Sequence, residues 1–221
     1  MSICIQKWII IPITVFTVCV AAIDGAAERH MPSDLLDAAR SEAISFVTVM
    51  RERLITDGTI DRSDELDDLK LGTPYPKYLL RREDLPRLDP GNFKEVLVQS
   101  HWVVPVFFGE NPRFLLYLRE CDGEWKSVDA GGDPTPMLDA MRRWKQSDGF
   151  ELSYVKAPWG PDFIMIERKG VISLYSFRER NERLFGISRD ENGMYPLLTV
   201  PFVVSRIKES ERAYLEKLKR E

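Results

Sequence analysis

The chain has 221 residues, 44% of them hydrophobic and 30% charged, with 13 glycines and 14 prolines, a composition that excludes collagen-like, coiled-coil and wholly disordered chains. A domain of this size buries roughly 70% of the surface its unfolded chain exposes, so it can fold on its core alone, without a metal or a disulfide. Against 35 acidic residues stand 31 basic ones, a net charge of −4, which offers no general attraction to nucleic acid or to an anionic membrane.

The first feature along the chain is apolar. Lys7 precedes an uncharged run from Trp8 to Ile23, short for a membrane span of ~20 residues but suited to the central region of a secretory signal. Val20-Ala21-Ala22 provides a cleavage site, and Gly25-Ala26-Ala27 a second. Residues 1–22 are therefore expected to be a signal peptide, 23–32 a flexible amino-terminal segment and 33–221 a single α+β domain. The expected location is secreted or periplasmic, with a bacterial cell envelope favoured, and no membrane span is expected after cleavage. Cys4 and Cys19 leave with the signal, and Cys121 alone cannot form an internal disulfide.

Ser33-Asp34 beside Pro32 marks a helix start, and Leu35, Leu36, Ala39, Ala43, Phe46, Val47, Met50 and Leu54 recur at three- and four-residue steps. The helix is expected to end near Asp57-Gly58. A polar and proline-rich connection follows over about 61–92; Pro74, Pro76, Pro86 and Pro90 each remove a backbone donor, which predicts a surface wrap outside the sheet.

From Phe93 the texture turns to β. His101 to Phe108 and Phe114 to Leu118 read as strands, the second apolar at both parities and so covered on both faces, and Asp122-Gly123 makes a hairpin turn into Trp125 to Val128. A short middle helix is expected over 136–146, with Met137, Met141 and Trp144 on one side. Further strands are read at 152–156, 163–166, 171–177, 184–188 and 195–204, with Lys169-Gly170 and Asn192-Gly193 as hairpin turns. Too few helices separate the strands for parallel crossovers, so the fold is expected to be α+β, with a mainly antiparallel sheet of hairpins. An amphipathic helix over 206–219, with Ile207, Tyr214, Leu215 and Leu218 inward, closes the chain.

No phosphate loop, dinucleotide fingerprint, zinc-protease motif or Cys-x-x-Cys occurs, so no cofactor and no catalytic residue is assigned. Asp57-Gly58-Thr59-Ile60-Asp61 resembles the second half of a calcium-binding EF-hand loop. The resemblance places Arg53 and Ile55 where the first and third ligands belong and Asp64 where a bidentate Glu belongs, so no metal is assigned. Cys121 lies between Glu120 and Asp122, whose charge disfavours a thiolate, and His101 reads as a strand residue whose ring finds a core or rim hydrogen bond. The aromatic residues are the better binding candidates. Trp159 sits in the stiff loop Ala157-Pro158-Trp159-Gly160-Pro161, and Trp102, Tyr75 and Tyr78 complete the candidate ligand- or partner-binding set.

The expected function is an exported, non-catalytic binding module for a protein, peptide or envelope polymer, with a hydrolase using carboxylates as the alternative. Amino-terminal sequencing of protein made in a secreting host is expected to begin at Ile23 or Glu28; an intact Met1 or Ser2 in the membrane fraction overturns the export reading.

Overall fold

The structure is a computed structural model and describes residues 31–158 and 161–218. The expected signal peptide, cleavage sites and most of the 23–32 segment lie outside the described residues. An amino-terminal helix, α1 (Leu35–Thr56), is followed by β1 (Leu69–Leu71), β2 (Tyr75–Leu80), β3 (Leu97–Phe108), β4 (Asn111–Cys121) and β5 (Glu124–Gly131). The short helix α2 (Thr135–Arg143) then leads to β6 (Glu151–Lys156), β7 (Asp162–Arg168), β8 (Val171–Ser176), α3 (Glu179–Phe185), β9 (Leu197–Thr199) and α4 (Val200–Leu218). The strands form one nine-stranded sheet in the order β5-β4-β3-β2-β6-β7-β8-β9, with β1 also paired to β3. Every pairing is antiparallel except β2 with β6, so the chain has the expected α+β class with a mainly antiparallel sheet.

The pleat sorts the apolar residues onto two faces. On the first face, Trp102, Val104 and Val106 of β3 and Phe114, Leu116 and Leu118 of β4 lie under α1, which contributes Leu35, Ala39, Ala43 and Val47, all fully buried. Farther along that face, Val155, Phe163, Met165 and Leu174 meet Val203, Val204 and Ile207 of α4. On the second face, Val103, Leu115, Ile164 and Tyr175 lie with Met137, Ala140 and Trp144 of the α2 segment. Strand β4 is thus apolar at both parities for the reason its sequence implied.

Two hairpin turns fall where they were expected. Asp122-Gly123 joins β4 to β5 and Lys169-Gly170 joins β7 to β8, all four residues at positive φ, the backbone that a twisted two-residue hairpin requires. α1 ends at Asp57-Gly58 as read, but Asp34 does not cap its start; that carboxylate instead accepts a hydrogen bond from Trp125 Nε1 at 3.3 Å.

Four expectations are corrected. The proline-rich connection does not stay outside the sheet: β1 and β2 pair with β3 one after the other, and β2 is a central strand. Pro76 is tolerated there because β6 pairs with β2 only from Lys77 onward, so its missing donor falls at the strand's start. Gly72 makes the join possible: it donates to the Pro105 carbonyl at 2.8 Å, and a Cβ there would lie 2.9 Å from the Phe107 ring. Residues 184–188 are not a strand, since Phe185 ends α3 with its ring 5.2 Å from Phe163, and Gly186 closes the helix in the left-handed region. The expected strand 195–204 is a strand only at 197–199, after which Pro201 sits in the first turn of α4, where a missing donor costs nothing; Asn192-Gly193 is consequently a loop turn between α3 and β9. Finally, Tyr214, Leu215 and Leu218 are exposed, while α4 buries Val200, Val203, Val204 and Ile207.

The acidic stretch after α1 is bound to the sheet. Arg113 lies opposite no residue of β3, because the register slips between the Val106–Phe114 and Phe107–Pro112 pairs, and this bulge sends its guanidinium to Asp61 and to Asp64 at 2.9 Å. Asp64, nearly buried, also accepts the Asp61 backbone N–H at 2.8 Å. Asp64→Ala is expected to cost about 1–3 kcal/mol in denaturant unfolding, because it strands a mostly buried guanidinium. Asp61→Ala, at an exposed carboxylate, is expected to cost under ~1 kcal/mol; equal losses would refute this division of labour.

Candidate functional site

The second face of the sheet carries an open cleft of about 480 Å³, within the range of small-ligand sites. Strand register explains how it is built. Lys77 on β2 stands between His101 on β3 and Tyr154 on β6. One row away, Tyr117 on β4 stands beside Asp129 on β5, and on the other side Lys156 on β6 pairs with Asp162 on β7. Arg178 and Glu179, at the start of α3, complete the rim.

Two bulges aim these side chains. Lys77 pairs with His101 but Tyr78 pairs with Gln99, which leaves Ser100 as the extra residue on β3. Tyr117 pairs with Asp129 but Leu118 with Ser127, which leaves Val128 as the extra residue on β5. Each bulge locally sharpens the twist. At the second, Ser127 donates through its N–H and hydroxyl to Glu42 of α1 at 3.0 and 2.6 Å, so the helix fastens the bulged strand.

Lys77 is the centre of the cleft. Its ammonium lies 4.4 Å from the centroid of the Tyr117 ring and 5.7 Å from that of Tyr154, contacts that offset part of the lost hydration by about 0.5–2 kcal/mol. Among the described residues it has no hydrogen bond and no ion pair. Burial, with Lys156 adding to it, holds its pKa below the usual lysine range, while Asp129 and Asp162 act in the opposite sense. Burial and the carboxylate of Asp129 raise the Tyr117 phenol, and burial and that of Asp162 raise Tyr154. Both phenols are therefore hydrogen-bond donors at neutral pH.

Asp162 is almost fully buried and pairs with Arg178 Nε at 3.5 Å. Its carbonyl accepts from the Asn181 side chain at 2.7 Å, and the same amide reaches Ser176 Oγ at 3.1 Å, which anchors α3 to β7 and β8 and so fixes where Arg178 stands.

Behind Lys77 runs a chain of hydrogen bonds. Arg119 Nη2 lies 2.9 Å from His101 Nε2, and because a guanidinium can only donate, Nε2 is the acceptor. The ring proton is then on Nδ1 and is donated to Ser100 Oγ at 2.9 Å, and Ser100 donates to the Lys77 carbonyl at 3.2 Å. Burial, Arg119 and Lys77 together lower the His101 pKa to about 4. His101 meets Tyr117 edge-on at 6.2 Å between centroids and so braces the cleft wall.

The described aromatic candidates, Trp102, Tyr75 and Tyr78, lie at different places in the sheet. Trp102 is buried under α1, Tyr75 is buried on the second face, and Tyr78 is half-buried on the α4 side of the sheet. Trp159 lies outside the described residues. Cys121 is half-buried at the end of β4, beside its turn. None of the cleft residues is among the four aromatic candidates read from the sequence. Lys77, Tyr117, Asp129, Asp162 and Arg178 carry no local signal, since strand pairing alone assembles them. Comparison with known family models, with curated proteins and with solved structures finds no match.

The His101 geometry sets a pH dependence. A histidine with a folded pKa near 4 and an unfolded one near 6.5 binds more protons when unfolded, so its contribution to stability is intact above pH 6.5 and is lost as pH falls toward 4. Unfolding free energies measured between pH 4 and 7 are expected to fall more steeply toward acid in the parent than in His101→Gln; parallel curves would contradict the neutral, Arg119-bonded imidazole.

Proposed function

We propose that the chain is an exported, non-catalytic binding domain whose ligand occupies the cleft and places an anionic group on Lys77. One observation carries this reading. A half-buried ammonium with three donors faces an open cleft, held between two tyrosine rings and, among the described residues, without a protein anion in bonding contact. Rings stabilise a cation but accept none of its hydrogen bonds in the way an oxygen does, so a ligand carboxylate or phosphate would gain a charge-assisted bond already positioned. The phenol of Tyr117, with Arg178 and Lys156 at the rim, supplies further donors to the same group, while the Tyr154 hydroxyl is engaged with Asp162.

A hydrolase is the second reading, favoured by Asp129 and Asp162, which face this cleft from strands on opposite sides of Lys77.

Thermal unfolding and calorimetry of the mature protein with acetate, phosphate, sulfate and short peptides separate the readings. An anionic ligand at a hundred times its Kd is expected to stabilise the parent by about 2.7 kcal/mol, and Lys77→Met is expected to lose most of that gain while folding normally. Equal stabilisation of parent and Lys77→Met overturns the proposal, and release of a cleaved product, followed by mass spectrometry, selects the hydrolase.

A further inference from the structure

We infer that the ligand of this cleft is dipolar, an amino acid or short peptide whose free carboxylate meets Lys77 and whose ammonium meets Asp129. The inference rests on the reading of Lys77 just given and adds a second pole to it.

The charges around the cleft balance. Lys77, Lys156 and Arg178 face Asp129, Asp162 and Glu179, and three of these six already have partners: Asp162 pairs with Arg178 at 3.5 Å and Glu179 with Arg189 at 3.5 Å. Lys77, Lys156 and Asp129 remain in no ion pair among the described residues. One Oδ of Asp129, an exposed residue, accepts the Ala130 N–H at 2.9 Å.

Register separates these three groups. Lys77 and Lys156 belong to neighbouring strands, β2 and β6, and Lys156 is near enough to lower the Lys77 pKa. Asp129 belongs to β5, beyond Tyr117, and acts on Lys77 in the opposite direction. The cleft therefore has a positive end over β2 and β6 and a negative end over β5, with the Tyr117 ring between them. A simple anion bound at Lys77 would bring its charge within range of Asp129 and Asp162, which lowers the gain. A ligand carrying an ammonium a few ångströms from its carboxylate turns the Asp129 repulsion into a second attachment, and the cleft volume accommodates a molecule of that length.

Calorimetry with dialanine, N-acetyl-dialanine and dialanine amide, on the parent, Lys77→Met and Asp129→Asn, tests both poles, with melting curves and far-UV circular dichroism confirming that each variant folds. In the parent, blocking either terminus is expected to weaken binding about tenfold, the loss of one charge-assisted bond. In Asp129→Asn, acetylation is expected to have no further effect while amidation still weakens binding; Lys77→Met is expected to show the reverse. Equal affinity for free and acetylated dialanine in the parent overturns the dipolar ligand, and so does acetate binding with no binding of dialanine. Either result leaves the Lys77 reading standing if Lys77→Met loses acetate. Failure of Lys77→Met to alter any of these ligands sinks both.

Discussion

Both faces of this sheet have to be covered, and they are covered unequally. The first face lies under α1 and α4, of 22 and 19 residues, helices roughly 33 and 28 Å long at 1.5 Å per residue. The second face has α2, of nine residues, roughly 14 Å long. Such a helix shields Ile164, Tyr175 and Leu115 through Met137, Ala140 and Trp144, but it cannot extend across nine strands. What lies beyond it must tolerate water, and there the second-face positions of β2, β4 and β6 are Lys77, Tyr117 and Tyr154. The cleft is the uncovered remainder of a sheet whose other face is closed.

The one-residue slips in strand pairing give that remainder its chemistry. A regular antiparallel ladder fixes each side chain to one of two directions. The bulge at Arg113 redirects a guanidinium to the acidic loop after α1, the one at Ser100 places a hydroxyl where it can serve both His101 and the Lys77 carbonyl, and the one at Val128 sets Asp129 beside Tyr117. In all three cases the extra residue or its neighbour makes a polar contact that a regular register would deny it. These slips cost ladder hydrogen bonds, and the polar contacts offset that cost locally.

Periodicity and turn chemistry made most of the fold legible. The i, i+3, i+4 pattern of α1, the Asp-Gly and Lys-Gly hairpins and the double parity of β4 each have a single physical solution, and each appears. The misreadings share a cause. Residues 195–204 are apolar at both parities, which fits a buried strand and a helix alike, and Pro201 decides for the helix only because it falls in a first turn. Pro76 argued against a central strand, but a proline is excluded only where its nitrogen meets a partner, and the register with β6 begins one residue later. The cleft was not legible, because Lys77 and Tyr117 are 40 positions apart in sequence and meet through the pairing of β2, β3 and β4. Tyr75 and Trp102, two of the aromatic binding candidates, are core residues on opposite faces of the sheet.

On the proposed function, Lys77 serves recognition more than stability. An ammonium taken halfway out of water loses hydration that two ring faces restore only in part, and that burial lowers its pKa. An aliphatic residue at this position would pack against Tyr117 and Tyr154 without the penalty. The deficit is nevertheless contained: the strand is fixed from behind by Ser100, which in turn is held by His101 and Arg119, so Lys77 cannot relieve it by moving its backbone. A cation that is under-solvated, immobilised at its root and open at its tip gains more from an incoming oxyanion than a surface lysine would, since little water has to be displaced and little backbone entropy remains to be lost. On the proposed reading, what the fold forgoes in stability at Lys77 is returned when a ligand binds.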